Sequence, residues 1–238
     1  MNIALIGYGK MGRTIESLGL DQGHSFPLII DVDNTGDLNS EKMELVDVAI
    51  EFTIPDTAPA NIMSCIDLGI PVVSGTTGWN DRFNEVANYC RSKQGALFYA
   101  SNFSLGVNIL FAMNRQLAKI MDRFTAYTVS IKEVHHSEKL DAPSGTAISL
   151  AEQIIAEQRR INKWSLEELD DPTSLTIEAV RRGEVKGDHS IRYDSELDSI
   201  TLSHRAKSRN AFAAGALMAA RFIRNQTGIF GMKDLLRL

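Results

Sequence analysis

Residues 133–147 read EVHHSEKLDAPSGTA, a stretch that concentrates groups able to move protons and hold anions. His135 and His136 are adjacent, Lys139 stands four residues after the first of them, and Ser144, Gly145 and Thr146 follow a proline. Histidine titrates near neutrality and a lysine can be tuned to do so, which makes either a source of a proton for a reacting atom. A Ser-Gly-Thr turn opening a helix offers free N–H groups and two hydroxyls, a cradle suited to a carboxylate, and Ser144 there also suits an N-cap. If the chain is extended at the histidines, their side chains point to opposite sides and take different tasks. The competing chemistry is a zinc site made from the histidines with Glu133 or Glu138. Adjacent histidines without a third clear ligand match zinc spacings poorly, so no metal is expected.

A second chemical stretch lies at the N-terminus. IALIGYGKMGR sets Gly7, Gly9 and Gly12 as G-x-G-x-x-G directly after an apolar run and at the start of an amphipathic segment. Gly7 allows the tight turn, Gly9 lets the backbone approach a pyrophosphate, and Gly12 lets helix pack on strand. Asp31, nineteen residues after Gly12, stands where an acid hydrogen-bonds a ribose hydroxyl. Val32-Asp33-Asn34 follows it without a cation to meet a 2′-phosphate, which favours NADH over NADPH; Lys10 is the cation that could offset this. Gly75-Thr76-Thr77-Gly78 and Ala100-Ser101-Asn102-Phe103 each follow an apolar run, at the strand ends where open α/β sheets bind ligands. Ordinary turn chemistry would explain either loop alone nearly as well.

These groups need elements to position them. Short apolar runs at 3–6, 27–30, 48–52, 71–73 and 96–99, with helical patterns near 57–68 and 82–93, predict a doubly wound parallel sheet buried on both faces. After Asn102 the rhythm changes to a long helix over 105–121 and an alternating strand over 127–135. In that strand Tyr127, Val129, Ile131, Glu133 and His135 share a face. A helix over 146–157, strands near 175–180, 189–193 and 199–203, and an alanine-rich helix over 208–224 complete an α+β unit.

The totals bound the function. With 238 residues, 44% apolar, net charge −5 and no long run of like charge, the chain fits one large or two modest domains and makes a poor nucleic-acid binder. Its apolar stretches are too short for a bilayer, and MNIALIGYG has no basic leader, so no membrane or signal segment is expected. Cys65 and Cys90 are too few for a disulfide framework and point to a reducing, cytoplasmic location. A dinucleotide site together with a histidine-lysine carboxylate site predicts hydride transfer to an anionic substrate.

The block EVHHSEKLDAPSGTA closely resembles the signature of the dihydrodipicolinate reductase family, now called 4-hydroxy-tetrahydrodipicolinate reductases. The match continues through GYGKMG, VVSGTTGW, YASNFSLGVN, RRGEVKGDHSI and SHRAKSRNAFAAGA, nearly the whole chain. The resemblance implies a Rossmann-like cofactor domain, 1–104 plus 207–238, and an α+β substrate and tetramerisation domain, 105–206. It implies NAD(P)H-dependent reduction of a dicarboxylate on the diaminopimelate route to lysine, by a homotetramer. His135 and Lys139 would handle the proton, and His136, Lys139, Ser144, Gly145 and Thr146 would hold the substrate. Gly7, Tyr8, Gly9, Lys10, Met11, Gly12, Asp31, Gly75, Thr76, Thr77, Ala100, Ser101, Asn102, Phe103 and Arg209 match the cofactor segments, with Phe212 beside them. NADPH-preferring members carry basic residues where this chain has Val32 and Ile54, again favouring NADH. Two other readings stay open: a different NAD-dependent dehydrogenase of amino or keto acids, and a non-catalytic nucleotide sensor. Turnover separates both from the reductase.

Overall fold

Apolar runs that alternate with amphipathic helices can only be buried if helices cover both faces of a sheet, and the first part of the chain folds that way. The computed structural model describes residues 1–208 and 210–238. In chain order the elements are β1 (Asn2–Ile6), α1 (Lys10–Asp21), β2 (Ser25–Ile30), α2 (Ser40–Met43), β3 (Val48–Glu51), α3 (Ala58–Asp67), β4 (Val72–Ser74), α4 (Phe83–Ser92) and β5 (Ala96–Tyr99). They continue as α5 (Leu105–Met121), β6 (Thr128–His135), α6 (Gly145–Glu157), β7 (Lys163–Ser165), β8 (Ser174–Arg181), β9 (Asp188–Asp194), β10 (Ser199–Arg205), α7 (Asn210–Ile223), β11 (Gly228–Phe230) and α8 (Met232–Leu236). Two compact units form, one of Met1–Leu105 with Asn210–Leu238, the other of Gly106–Arg209. No helix among the described residues is long and apolar enough to cross a membrane.

The first unit holds a six-stranded sheet, β11-β5-β4-β3-β1-β2, parallel throughout. Strand order reverses around β1, which pairs β2 on one side and β3 on the other. Period two divides β1 between two cores. Ile3 and Leu5 join Ile15 of α1 and the alanines of α7, while Ala4 and Ile6 join Ile62 and Cys65 of α3 and Val86 and Cys90 of α4. Each fully buried isoleucine or leucine here contributes about 1.5–3 kcal/mol of transfer free energy. The fold is the Rossmann-like doubly wound sheet that the sequence predicts. Strand β11 and helix α8 were outside that prediction: three-residue β4 registered because its apolar run falls between two helical patterns, and the short segments after α7 have no such flanking rhythm.

The second unit holds a mixed sheet, β10-β9-β6-β8-β7, in which β6–β8 and β7–β8 are parallel and the other pairs antiparallel. Helices α5 and α6 cover one face. Leu110, Ala118 and Met121 pack with Leu150, Ala151 and Ile154 against Val129, Ile131, Leu175, Ile177, Ile191 and Tyr193. Thr128, Ser130 and Lys132 alternate onto the other face and are exposed. Buried and exposed positions along β6 therefore follow the alternation read from sequence up to Glu133, and Val134 alone breaks it by being buried as well.

Candidate active site

Four loops leave the C-terminal ends of β1, β3, β4 and β5, around the point where strand order reverses. In the first, Gly7 has φ +93°, and a Cβ there would lie 2.1 Å from the Phe52 carbonyl oxygen. A Cβ on Gly12 would lie 2.3 Å from the Gly7 carbonyl oxygen, so both glycines are required by close backbone approach. Gly9 differs. It is exposed at the N-cap of α1, and a Cβ there would meet nothing within 4 Å. Packing does not demand glycine at that position; a ligand's close approach would. Lys10 is exposed, Met11 and Tyr8 rest against the core, and the Tyr8 hydroxyl donates to Glu16.

Asp31 follows β2 with its side chain exposed and its N–H donating to Asn34 Oδ1 at 2.8 Å. Lys42, the nearby cation, pairs with Asp37 at 2.9 Å. The loops after β3 and β4 are tied together by Glu51, which is fully buried. Its Oε1 accepts from Thr76 Oγ1 at 2.7 Å, from Thr53 N at 2.9 Å and from the Thr53 hydroxyl, and its Oε2 accepts from Ser74 Oγ at 2.6 Å. Thr53 N also reaches Thr76 Oγ1 at 2.8 Å. Thr76 is thus committed internally, whereas Thr77 is exposed and Gly75 takes the Phe52 ring, 2.2 Å from where its Cβ would be. After β5, Ala100 N donates to Ser74 O at 3.3 Å, Ser101 is exposed, Asn102 Oδ1 accepts from Ser104 N at 2.9 Å, and Phe103 is buried against Phe52 and Phe98. Gly215 of α7 admits the Phe103 carbonyl, which would lie 1.8 Å from a Cβ there. Arg209 lies outside the described residues; Phe212 is half-buried in α7.

In the second unit His135 is the last residue of β6 and is buried, while His136, just beyond, is half-buried. Strand alternation sets Glu133 on the His135 face, fully buried. Its Oε1 accepts from Arg181 Nη2 at 2.9 Å and Ser144 N at 3.1 Å, and its Oε2 lies 2.6 Å from His135 Nδ1. Burial alone would raise the Glu133 carboxyl, but the close His135 Nδ1 and the hydrogen bonds from Ser144 and Arg181 outweigh it and hold the group at about 2. Arg181 also donates to the carbonyls of Lys139, Asp141 and Val180, which pins the loop that carries the lysine. Lys139 Nζ sits between both Asp141 carboxylate oxygens, at 2.7 and 2.8 Å, and this bond keeps the Asp141 carboxyl below its usual range.

Ser144 is the N-cap of α6, accepting from Ala147 N at 3.3 Å, and its buried hydroxyl also meets His189 Nε2 at 3.1 Å. That hydroxyl works within the fold. The exposed part of the turn is Gly145 and half-buried Thr146, whose N–H groups lie in the first turn of α6 and have no acceptor within the helix. Burial, then the neighbouring His135, pushes His189 down to about 4, so it is neutral near pH 7. Ligand atoms of Glu133, His135 and His189 lie within 4.8 Å of one another, a grouping that could hold a metal ion. The Arg181 guanidinium already balances that carboxylate, and Glu138 does not join the group.

The sequence weighed Glu133 only as a metal ligand and did not single out Arg181, His189 or Glu51. A buried acid on the histidine face was the available sign for Glu133. Arg181 and His189 arrive through pairing, Arg181 opposite His135 on β8 and His189 opposite Glu133 on β9.

Family models described as dihydrodipicolinate reductase, N-terminus, and dihydrodipicolinate reductase, C-terminus, match residues 1–103 and 106–236. The chain belongs to the dihydrodipicolinate reductase family. A 4-hydroxy-tetrahydrodipicolinate reductase of Christiangramia forsetii is 47% identical over 238 residues, covering 99% of this chain and 98% of the relative. The enzyme of that name from Neisseria meningitidis serogroup C is 32% identical, covering 94% and 84%. The family fold extends to solved structures: dipicolinate-bound dihydrodipicolinate reductase from Paenisporosarcina superposes with a TM-score of 0.78 at 22% identity, over 98% of both chains. A probable dehydrogenase from Thermotoga maritima shares the fold more distantly, with a TM-score of 0.59 at 12% identity, over 99% of this chain and 92% of its own. The N-terminal part of this family is a nucleotide-binding fold of the kind that takes NADH or NADPH.

Proposed function

We propose that this chain reduces 4-hydroxy-tetrahydrodipicolinate, by way of dihydrodipicolinate, to tetrahydrodipicolinate on the diaminopimelate route to lysine, and favours NADH. The observation that carries the reading is the convergence of His135, Lys139 and the Gly145-Thr146 turn within one segment, held by Glu133 and Arg181, in a chain 47% identical along its length to a relative of that name.

The residues fit the cofactor: Gly9 opens a cradle at the start of α1, where the helix dipole and free N–H groups favour a pyrophosphate. Gly7 to Gly12, including Tyr8, Lys10 and Met11, would form that loop, Asp31 would bind the ribose, and Gly75 to Thr77, Ala100 to Phe103 and Arg209 would flank the nicotinamide end. Bound NADH supplies a hydride. Lys139 or His135 gives a proton to the imine nitrogen, which draws electrons from the conjugated double bond and makes its far carbon the hydride acceptor. The Gly145 and Thr146 N–H groups, with His136, hold the substrate carboxylates so that the ring keeps one orientation, and Ser144 serves them by shaping the turn as its N-cap. Asp31 and Asp33, both exposed, repel a 2′-phosphate, which supports the preference for NADH.

The same reading makes the enzyme a cytoplasmic homotetramer. In support, the face of the second sheet that carries Thr128, Ser130 and Lys132 bears a groove of about 940 Å³ whose lining includes exposed Leu166 and Leu169.

A coupled assay tests the reading. Pyruvate and aspartate semialdehyde are fed to the upstream synthase, and nicotinamide absorbance is followed with each cofactor. The expected result is synthase-dependent oxidation, faster with NADH, from a preparation that sediments as four chains. Lys139→Ala should lose most turnover, about 10²-fold, with near-normal NADH affinity. No oxidation with either cofactor, despite NADH binding, would sink the reductase assignment; faster NADPH oxidation would sink the preference, and a sedimenting monomer the tetramer.

A further inference from the structure

Glu133 has no place in the chemistry above, yet its carboxylate is fully buried. A buried carboxylate needs donors. Two of its donors are fixed, Arg181 Nη2 and the Ser144 N–H, and both are spent on Oε1. Oε2 is left facing His135 Nδ1 at 2.6 Å, and neither atom has another hydrogen-bond partner among the described residues. The contact has the geometry of an ion pair more than of an aligned hydrogen bond, a state common before substrate tightens a site. The other nitrogen facing Oε2, His189 Nε2, is 4.0 Å away and beyond hydrogen-bond reach, so the proton between Oε2 and Nδ1 comes from the His135 imidazole, as Nδ1–H.

The other ring nitrogen is in a different setting. No partner reaches His135 Nε2 among the described residues, and it lies beside Gly187, whose φ is +143° and where a Cβ would come within 3.1 Å of it. Glycine there keeps that side of the ring clear. His189 cannot compete for the ring proton, because its Nε2 is engaged with Ser144 Oγ and its own ring meets His135 edge-on, centroids 5.1 Å apart.

From this geometry we propose that Glu133 is a positioning residue that holds His135 as the Nδ1–H tautomer, so that Nε2 is the atom that exchanges a proton with the substrate. The proposal rests on the reading of His135 as part of the proton-handling cluster. In the productive step Nε2 carries a proton on the imidazolium. The Nε2–H bond breaks as the bond to the substrate nitrogen forms, and the ring returns to the neutral Nδ1–H form. Glu133 stays ionised throughout and stabilises the transient cation.

Glu133→Gln separates this role from simple packing. Its amide keeps a carbonyl oxygen for Arg181 and Ser144 N but turns an N–H₂ toward Nδ1, which must then accept, so the proton moves to Nε2. Nitrogen-15 spectra of histidine-labelled protein read the tautomer directly, with His135→Gln identifying the resonances. The expected wild-type pattern is Nδ1–H, switching to Nε2–H in Glu133→Gln, with kcat down about 10²-fold or more and KM and NADH affinity within a few-fold. An Nε2–H pattern in the wild type would overturn the inference even if the variant failed to fold. A switched tautomer with unchanged kcat would overturn it as well. Loss of the coupled reaction in the wild type itself would instead count against the reductase reading, while the tautomer still decides the role of Glu133.

Discussion

Two carboxylates, Glu51 and Glu133, are each fully buried near the C-terminal end of a strand, and the folds around them treat them differently. Glu51 is surrounded by neutral donors: a backbone N–H and the hydroxyls of Thr53, Ser74 and Thr76. Those donors are the loops that the cofactor would meet, so Glu51 works as a knot. Glu133 is surrounded by a guanidinium, an imidazole and a helix N-cap. A hydroxyl can turn to donate or accept without changing charge, whereas an imidazole in the same position gains or loses a proton. A buried acid held by neutral donors fixes a shape; one held by titratable partners fixes a charge state.

The difference is sharpest in the cost of removing a partner. Arg181→Met should leave Glu133 enclosed without its full countercharge and release the Lys139 loop, at a cost of about 3 kcal/mol and most of the turnover. Urea unfolding and the coupled assay read both, and a loss under about 1 kcal/mol would show that Arg181 is not the needed countercharge.

Acid should divide the two regions next. His189 stays neutral in the folded chain down to about 4, against an ordinary 6.5, so an unfolded chain binds that proton first. Stability is therefore lost as pH falls from 6.5 toward 4, by on the order of 2–3 kcal/mol. Glu133, held at about 2 against an ordinary 4.5, extends the loss from 4.5 downward. Trp164 reports on the second unit and Trp79 on the first. In Trp79→Phe and Trp164→Phe proteins the second unit should loosen at the higher pH, and coincident transitions would erase the distinction.

The smallest effect belongs to Glu51→Gln. Its hydroxyl partners can rotate to accept from the new amide, so about 1 kcal/mol is expected, with NADH affinity little changed. A penalty equal to that of Arg181→Met would mean that Glu51, too, depends on its charge.

Much of this was legible from residues alone. The runs at 3–6 and 96–99 became β1 and β5, the pattern over 105–121 became α5 at the same bounds, and the alternation over 127–135 put Glu133 beside His135. Such features repeat locally with period 2 or 3.6, and local repetition survives in a linear string. The glycines were legible for the same reason, since each answers to its own backbone. Strands β7 and β11 were not, because, unlike the equally short β4, they lie outside the strand–helix rhythm and are defined by the neighbours they join.

The site divides along the same line. Amino-acid type and spacing by themselves picked out the groups proposed to carry chemistry: His135, Lys139, the Ser144–Thr146 turn and the Gly7–Gly12 loop. Only the tertiary structure decided how those groups are held, because Arg181 reaches Glu133 from 48 residues away and Thr76 reaches Glu51 from 25. Contacts of that span arise from strand register, and register is set by the burial of whole sheets, which no short window of sequence contains.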